Sequence, residues 1–169
     1  SNQLFDQGKS ELARAAQKQA LAYYKKAIEE EGFENPTYLI AYGVLLMRVC
    51  EYEKARALFL KADKRKAQLN KEEKRRLRID YAIVLWKMGE LDHAIELMQE
   101  IALNGKNSMI YGSLGYMLIE KATQTGDFSQ AIAFNEEALE YDDDDAVVLD
   151  NLGQLHLRMG DEEKALSFF

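Results

Sequence analysis

The chain has 169 residues, of which 47% are hydrophobic and 30% charged, and its formal net charge is −7. This composition is typical of a folded globular protein. The chain contains no run of about 18 apolar residues, so none of its segments is expected to span a membrane. The acidic balance disfavours general nucleic-acid binding, which relies on basic surface. The single cysteine, Cys50, excludes an internal disulfide framework and a multi-thiolate metal site, and it favours a reducing, cytoplasmic compartment.

The N-terminal segment, up to Gly32, is the least regular part of the chain. Leu4, Phe5 and Leu12 indicate a weak helix, followed by a turn at positions 15–17 that contains no helix breaker. One continuous helix over positions 3–31 is the alternative, since alanine-rich turns hold helix well. Ser1 and Asn2 are typical of what remains after a tag is cleaved, so we expect the natural N-terminus to lie upstream.

Helix boundaries further along the chain are marked by local signals. Gly32 should end a helix, and Asn35-Pro36 should cap and begin the next one. Asn70 should cap a helix with acidic residues in its first turn. An insertion at positions 122–125 predicts about one extra helical turn. The acidic run 142–145 predicts a turn whose third or fourth aspartate caps the following helix.

One pattern of small and large residues recurs through the chain with a period typical of helical repeats. In each copy two small residues are separated by about three helical turns, or about four turns in the fourth copy. A large residue follows one turn later, and three positions after it comes another small residue, or Ile101 in the third copy; the fifth copy stops at the large residue. Small residues let two helices approach closely, and the large residue fills the gap between them. The copies read Gly8-Ala20-Tyr24-Ala27, Gly43-Ala55-Phe59-Ala62, Ala82-Ala94-Met98-Ile101, Gly115-Ala131-Asn135-Ala138 and Gly153-Ala165-Phe169.

This pattern resembles the tetratricopeptide repeat family, and the resemblance covers essentially the whole chain. The best matches are Leu114-Gly115, Leu152-Gly153, Met88-Gly89-Glu90-Leu91, Met159-Gly160-Asp161-Glu162 and Thr125-Gly126-Asp127-Phe128. The resemblance implies an all-α, right-handed α-α superhelix (solenoid) of about four and a half helix-turn-helix repeats in a single domain. The repeats are expected near positions 3–32, 36–69, 71–104, 107–141 and 145–169, the last one incomplete. The second helix of the 36–69 repeat is expected to be longer than usual.

The first helices of the three middle repeats are apolar on two opposed faces, so they are buried or bound on both sides. One face packs against the partner helix. The other is polar in the terminal repeats, and the resemblance implies that it lines a concave groove that holds peptides. The alternative is intramolecular: polar terminal repeats act as caps, and a further helix fills the groove. The predicted groove consists of Ile40, Val44, Met47, Ile79, Ile83, Trp86 and Tyr116, with Arg48, Arg76 and Lys87 at its rim.

Nothing in the sequence indicates an enzyme, a cofactor or a metal ion. His93 and His156 belong to different repeats, and the acidic run 142–145 lacks the alternating ligands and central glycine of a calcium loop. The basic segment 61–78 has no interleaved aromatic residue for base stacking. Cys50 is expected to pack as a small residue in a turn, and His156 to pack in place of the tyrosine usual in the family.

The predicted function is therefore recognition without chemistry. The chain should act as a scaffold that binds a partner peptide or helix in the apolar groove. One alternative is a self-associating module that forms a homodimer through the groove or through the end at Phe169. Another is a regulatory peptide or nucleic-acid sensing module that lacks its effector domain.

Overall fold

The computed structural model describes residues 2–169, with side chains from residue 6 onward; the side chains of Leu4 and Phe5 lie outside the described residues. Every regular element in this part of the chain is helical. The chain forms two compact units, Ser1–Val84 and Leu85–Phe169. The helices are α1 (Asn2–Tyr24), α2 (Pro36–Arg48), α3 (Tyr52–Asp63), α4 (Lys71–Lys87), α5 (Leu91–Ala102), α6 (Ser108–Thr125), α7 (Ser129–Tyr141), α8 (Ala146–Arg158) and α9 (Glu162–Leu166).

Three helix starts lie where the sequence predicts them. The Asn35 side chain accepts a hydrogen bond from the Thr37 amide at 2.9 Å, ahead of the first-turn proline. Asn70 and Glu73 each accept the other's backbone N–H, at 2.8 and 2.9 Å, which makes a capping box at the start of α4. Asp145 caps α8 by accepting the Val147 amide at 2.8 Å. Each cap satisfies amides that the first turn leaves without a helical partner.

The N-terminal segment has no turn at positions 15–17. Helix α1 runs through them to Tyr24, and a π-helical segment, Lys25–Glu30, carries the helix on. The structure therefore has the continuous-helix alternative in place of the predicted helix pair. Alanine-rich sequence without glycine or proline gives the helix no reason to stop. A Cβ on Gly8 would meet no atom within 4 Å, because no second helix folds back against it.

Of the two helices predicted to be longer than usual, one is and the other is not. Residues 122–125 extend α6 as predicted, and Ala122 is buried in the added turn. The predicted longer helix in the 36–69 repeat is wrong: α3 ends at Asp63, and the extra residues form a 3₁₀ turn, Lys66–Gln68. Residues 64–68 offer no large apolar side chain to bury, so no packing supports a further α-helical turn.

Cys50 is exposed, so its predicted packing role is wrong. Its φ is 63°, the left-handed conformation that Gly89 and Gly160 adopt in the corresponding turns, with φ of 86° and 85°. The residue after the helix must take this conformation to end it, and the position points toward solvent. A residue with a Cβ is strained there, and cysteine's usual burial is overridden by the turn.

Replacing Cys50 by glycine should therefore stabilise the protein. Relief of the left-handed strain outweighs the greater entropy of glycine in the unfolded chain, giving a net gain of about 0.5–1 kcal/mol. Urea unfolding followed by circular dichroism measures the change. The matched control, Gly89→Cys, should lose stability by a similar amount, and a Cys50→Gly protein less stable than the parent would contradict the strain.

The repeated small–large pattern is a set of close contacts between the two helices of a pair. A Cβ on Gly43 of α2 would lie 2.6 Å from Cε1 of Phe59 in α3. A Cβ on Gly153 of α8 would lie 2.4 Å from Cζ of Phe169, beyond the end of α9. Gly115 of α6 faces an amide in place of a ring, with Asn135 Oδ1 2.6 Å from its ideal Cβ position. At these three positions the absence of a Cβ leaves room for a large side chain that follows later in the chain.

Gly43→Ala should lower the free energy of unfolding by about 1–3 kcal/mol, because the added methyl overlaps the Phe59 ring. The matched control is Gly8→Ala, which adds the same methyl to a helix in open space. It should leave stability unchanged or raise it by up to about 1 kcal/mol, as alanine is the better helix former. Denaturant unfolding compares the two. Equal effects would show that the close contact is unimportant.

Candidate functional site

A cavity of about 320 Å³ lies in the Leu85–Phe169 unit, where α6 and α8 pack closely. Gly112 makes the approach possible, since a Cβ there would lie 2.9 Å from Cγ1 of Val147. The buried Asn151 side chain donates a hydrogen bond to the Gly112 carbonyl at 2.9 Å and fixes the two helices. The cavity is lined by Trp86, Ser108, Met109, Gly112, Ser113, Tyr116, Val147 and Asn151.

Two aromatic side chains form one wall of this cavity. The ring centroids of Trp86 and Tyr116 are 5.6 Å apart, with an interplanar angle of 60°. The Trp86 indole N–H donates to the Glu120 carboxylate at 2.6 Å. Both rings are half-buried, so they are held in place and still present surface to the cavity. A ring fixed before binding loses little conformational entropy when a ligand contacts it.

Cationic groups flank the two rings. The Lys87 ammonium lies 4.1 Å from the Trp86 ring centroid, within the range of a cation–π contact. The Arg158 guanidinium lies 5.5 Å from the Tyr116 ring and donates to the Tyr116 hydroxyl at 3.1 Å. Its other terminal nitrogen donates to Thr123 at 3.1 Å. The predicted residues Trp86, Lys87 and Tyr116 are therefore brought together.

Sequence reasoning missed Glu120 and Arg158. Glu120 contacts a residue 34 positions earlier, and Arg158 one that lies 42 positions earlier. Such pairs are invisible to helical periodicity, which relates residues three or four positions apart. The one available signal is that Glu120 follows Tyr116 by one turn of the same helix.

The predicted residues of the Ser1–Val84 unit are placed less uniformly. Ile40, Val44 and Met47 lie on one face of α2 and are half-buried, as is Ile83 of α4. Ile79 is only 2% exposed and belongs to the core, so it cannot offer surface to a partner. Periodicity indicates two apolar faces on α4, and it does not show which positions the rest of the unit covers.

Of the predicted rim residues in this unit, Arg48 and Arg76 are exposed. Arg76 is engaged by its own helix, because its Nε lies 3.2 Å from Oδ1 of the buried Asp80. Burial raises the pKa of Asp80, and the Arg76 charge opposes that shift. Arg76 is therefore partly committed to neutralising a buried carboxylate.

The two histidines have structural surroundings. His156 packs as predicted: it is half-buried and stacks on Phe168, with centroids 5.5 Å apart and planes at 9°. Burial and the nearby Lys164 charge lower the pKa of His156. His93 is exposed. Among residues with described side chains, no three His, Cys, Asp or Glu side chains are grouped to hold a metal ion.

Within the described chain, no helix is both long enough and apolar enough to cross a bilayer. Leu166 and Phe169 are 72% and 63% exposed near the last helix. The homodimer predicted through that end remains a prediction.

No family model and no curated protein matches the sequence. Solved structures do match. MamA (residue 41 to the end) from Desulfovibrio magneticus RS-1 superposes with a TM-score of 0.68 at 20% identity, covering 97% of this chain and 88% of that one. YrrB, described as a TPR protein with an unusual peptide-binding site, gives a TM-score of 0.61 at 22% identity, covering 92% and 76%.

A third match is TTC0263, a thermophilic TPR protein in Thermus thermophilus, with a TM-score of 0.68 at 19% identity over 79% of this chain and 70% of that one. The chain has the tetratricopeptide-repeat fold. The predicted fold class, an all-α solenoid built from successive helix pairs, is confirmed. At these identities the likeness establishes the tetratricopeptide-repeat fold and does not extend to what the chain binds.

Proposed function

We propose that this chain is a protein-interaction module that binds a segment of a partner protein and catalyses no reaction. Proteins of tetratricopeptide-repeat fold typically mediate protein–protein interaction, and YrrB is described as having a peptide-binding site. The observation that carries the proposal here is the open cavity whose wall is the Trp86–Tyr116 pair.

The chemistry of the cavity indicates what it binds. Its wall offers aromatic faces, and large aromatic residues in such positions are the usual energetic anchors of an interface. An apolar side chain of the partner would enter beside Trp86 and Tyr116. The ammonium of Lys87 and the guanidinium of Arg158 lie next to these rings, so an acidic residue flanking the apolar anchor would gain electrostatically.

The predicted surface in the Ser1–Val84 unit is a separate part of the proposal. Ile40, Val44 and Met47 repeat at helical spacing on one face of α2 and remain half-exposed. This spacing suits contact with an amphipathic helix. The Trp86 cavity is the better-defined site, because its rings are fixed by hydrogen bonds to Glu120 and Arg158.

A displayed library of random peptides is selected on the intact chain, and we expect enriched peptides to carry an apolar residue next to an acidic one. Trp86→Ala should weaken binding of these peptides by roughly 30-fold, since truncating an aromatic anchor costs about 2 kcal/mol or more. Trp86 is the only tryptophan, so its fluorescence reports directly on occupancy of the cavity. Binding of the enriched peptides to the variant is measured by calorimetry.

The matched control is Leu103→Ala, which removes an apolar side chain that is 86% exposed outside the cavity lining. It should leave affinity unchanged, and circular dichroism should show both variants folded. Enriched peptides that bind Trp86→Ala as tightly as the intact chain would refute this site. Failure to enrich any peptide would refute the proposed function.

A further inference from the structure

A second cavity, of about 280 Å³, lies in the Ser1–Val84 unit where the long first helix ends. The π-helical segment Lys25–Glu30 is followed by Gly32 in the left-handed conformation, with φ of 70°. The chain then folds back, and the Phe33 amide donates to the Ala27 carbonyl at 2.9 Å. The cavity is lined by Tyr23, Tyr24, Lys26, Ala27, Glu31, Phe33 and Tyr38.

Four aromatic rings surround this cavity. Tyr23 and Tyr24 have centroids 5.6 Å apart and meet edge to face at 78°. Tyr24 and Tyr38 are 6.4 Å apart at 52°, and Phe33 and Tyr38 are 5.8 Å apart at 45°. The rings of these three pairs are thus steeply inclined to one another. Tyr23 and Phe33 are 67% and 49% exposed, so the rings border the space without closing it.

Tyr42, which is outside the cavity lining, holds Tyr24 in place. Tyr42 lies behind Tyr24, with centroids 6.2 Å apart, and its hydroxyl donates to the Glu29 carboxylate at 3.2 Å. Burial, together with the Glu29 charge, raises the pKa of Tyr42 to about 12, so this hydroxyl keeps its proton and its hydrogen bond at physiological pH. The contact ties the π-helical segment to α2. Tyr24 is therefore held in position before any ligand arrives.

The electrostatic character of the lining favours a cation. The faces of aromatic rings carry negative potential, which attracts ammonium and guanidinium groups. The Glu31 carboxylate lines the same space. Lys26 also lines it and would repel a cationic ligand. Removing the charge of Lys26 or of Glu31 therefore tests whether the cavity prefers a cation.

The same chain shows this combination filled by one of its own lysines. The Lys106 ammonium lies 5.9 and 5.8 Å from the ring centroids of Tyr111 and Phe134. It is also paired with the Glu137 carboxylate at 2.8 Å. Two aromatic faces and one glutamate thus hold a lysine ammonium in the Leu85–Phe169 unit. The cavity at residues 23–38 offers four rings and one glutamate, with Lys26 beside them.

We propose that the aromatic cavity formed by Tyr23, Tyr24, Phe33 and Tyr38 binds the alkylammonium group of a lysine side chain on a partner peptide. Trimethylation of that lysine strengthens binding, because a quaternary ammonium sheds water more readily and contacts more ring surface. The inference does not depend on the Trp86 cavity, which lies in the other unit.

The test compares two blocked amino acids, N-acetyl-trimethyllysine amide and its neutral isostere in which carbon replaces the quaternary nitrogen. Ligand-observed NMR on the intact chain measures both affinity and the ring-current shift of the methyl protons. We expect the methyl signals of the cationic ligand to move upfield, and its affinity to exceed that of the isostere about two- to fivefold, the range of an exposed cation–π contact.

Variants separate the contributions of the lining. Tyr23→Ala removes an exposed ring and should weaken binding of the cationic ligand about two- to fivefold. Glu31→Gln should also weaken it, whereas Lys26→Met should strengthen it. Tyr141→Ala, the matched control, removes another exposed tyrosine outside the cavity and should change nothing. Trp86→Ala should also change nothing, which distinguishes this site from the proposed peptide-binding one.

Circular dichroism confirms that each variant is folded before its affinity is compared. Equal binding of the neutral isostere would overturn the proposal and indicate an apolar pocket. Weaker binding of the cationic ligand to Lys26→Met together with tighter binding to Glu31→Gln would overturn it, because the ligand would then not lie between these two charges. Absence of any methyl shift at millimolar ligand would also overturn it.

Discussion

In three parts of this protein a glycine on one helix is in close contact with a large side chain that follows it: at α2–α3, at α6–α7, and between α8 and the segment after α9. Gly43 receives the Phe59 ring and Gly153 receives the Phe169 ring, each at a distance that no Cβ would permit. In the α6–α7 pair an amide replaces the ring. Asn135 is fully buried and donates to the carbonyls of Gly115 and Ala131 at 3.2 and 2.8 Å. These two hydrogen bonds offset part of the cost of burying the amide, whose Oδ1 is buried without a hydrogen-bond partner.

These contacts also determine which side chains are left for binding. A helix whose glycine face is used by its partner must present its other apolar face elsewhere. On α6 the Gly115 face packs inward, and Tyr116, the next residue, reaches the cavity beside Trp86. At the N-terminal end α1 continues as a single helix, so among the described residues no second helix packs against Gly8. The aromatic cavity of residues 23–38 forms where that helix finally turns.

Local features of the structure could be predicted from the sequence. The caps at Asn35 and Asp145 depend on side-chain hydrogen bonds to amides two or three residues away, so the local sequence is enough to predict them. The glycine–aromatic spacing predicts the helix pairs because it records one repeated packing geometry. Cys50 shows the limit of propensity arguments, since the φ of 63° required by its turn overrides the usual burial of cysteine.

Features that depend on tertiary contacts could not be predicted. The Trp86–Glu120 hydrogen bond joins residues 34 positions apart, and the position of Glu120 one turn after Tyr116 does not by itself specify that partner. No sequence pattern marks Lys25–Glu30 as π-helical. The aromatic cavity at the end of this segment could therefore not be predicted either. Periodicity alone assigns Ile79 to the groove, although packing buries it.

Hydrogen exchange resolved along the chain tests most directly whether the helix pair, rather than the single helix, is the unit of stability. The amides of residues 6–19 belong to a helix whose side chains are almost all exposed, whereas α6 and α8 carry continuous buried faces. We predict that residues 6–19 exchange nearly as fast as an isolated helix, and that central α6 amides exchange only when the Leu85–Phe169 unit unfolds. Protection of residues 6–19 equal to that of α6 would contradict this dependence on paired helices.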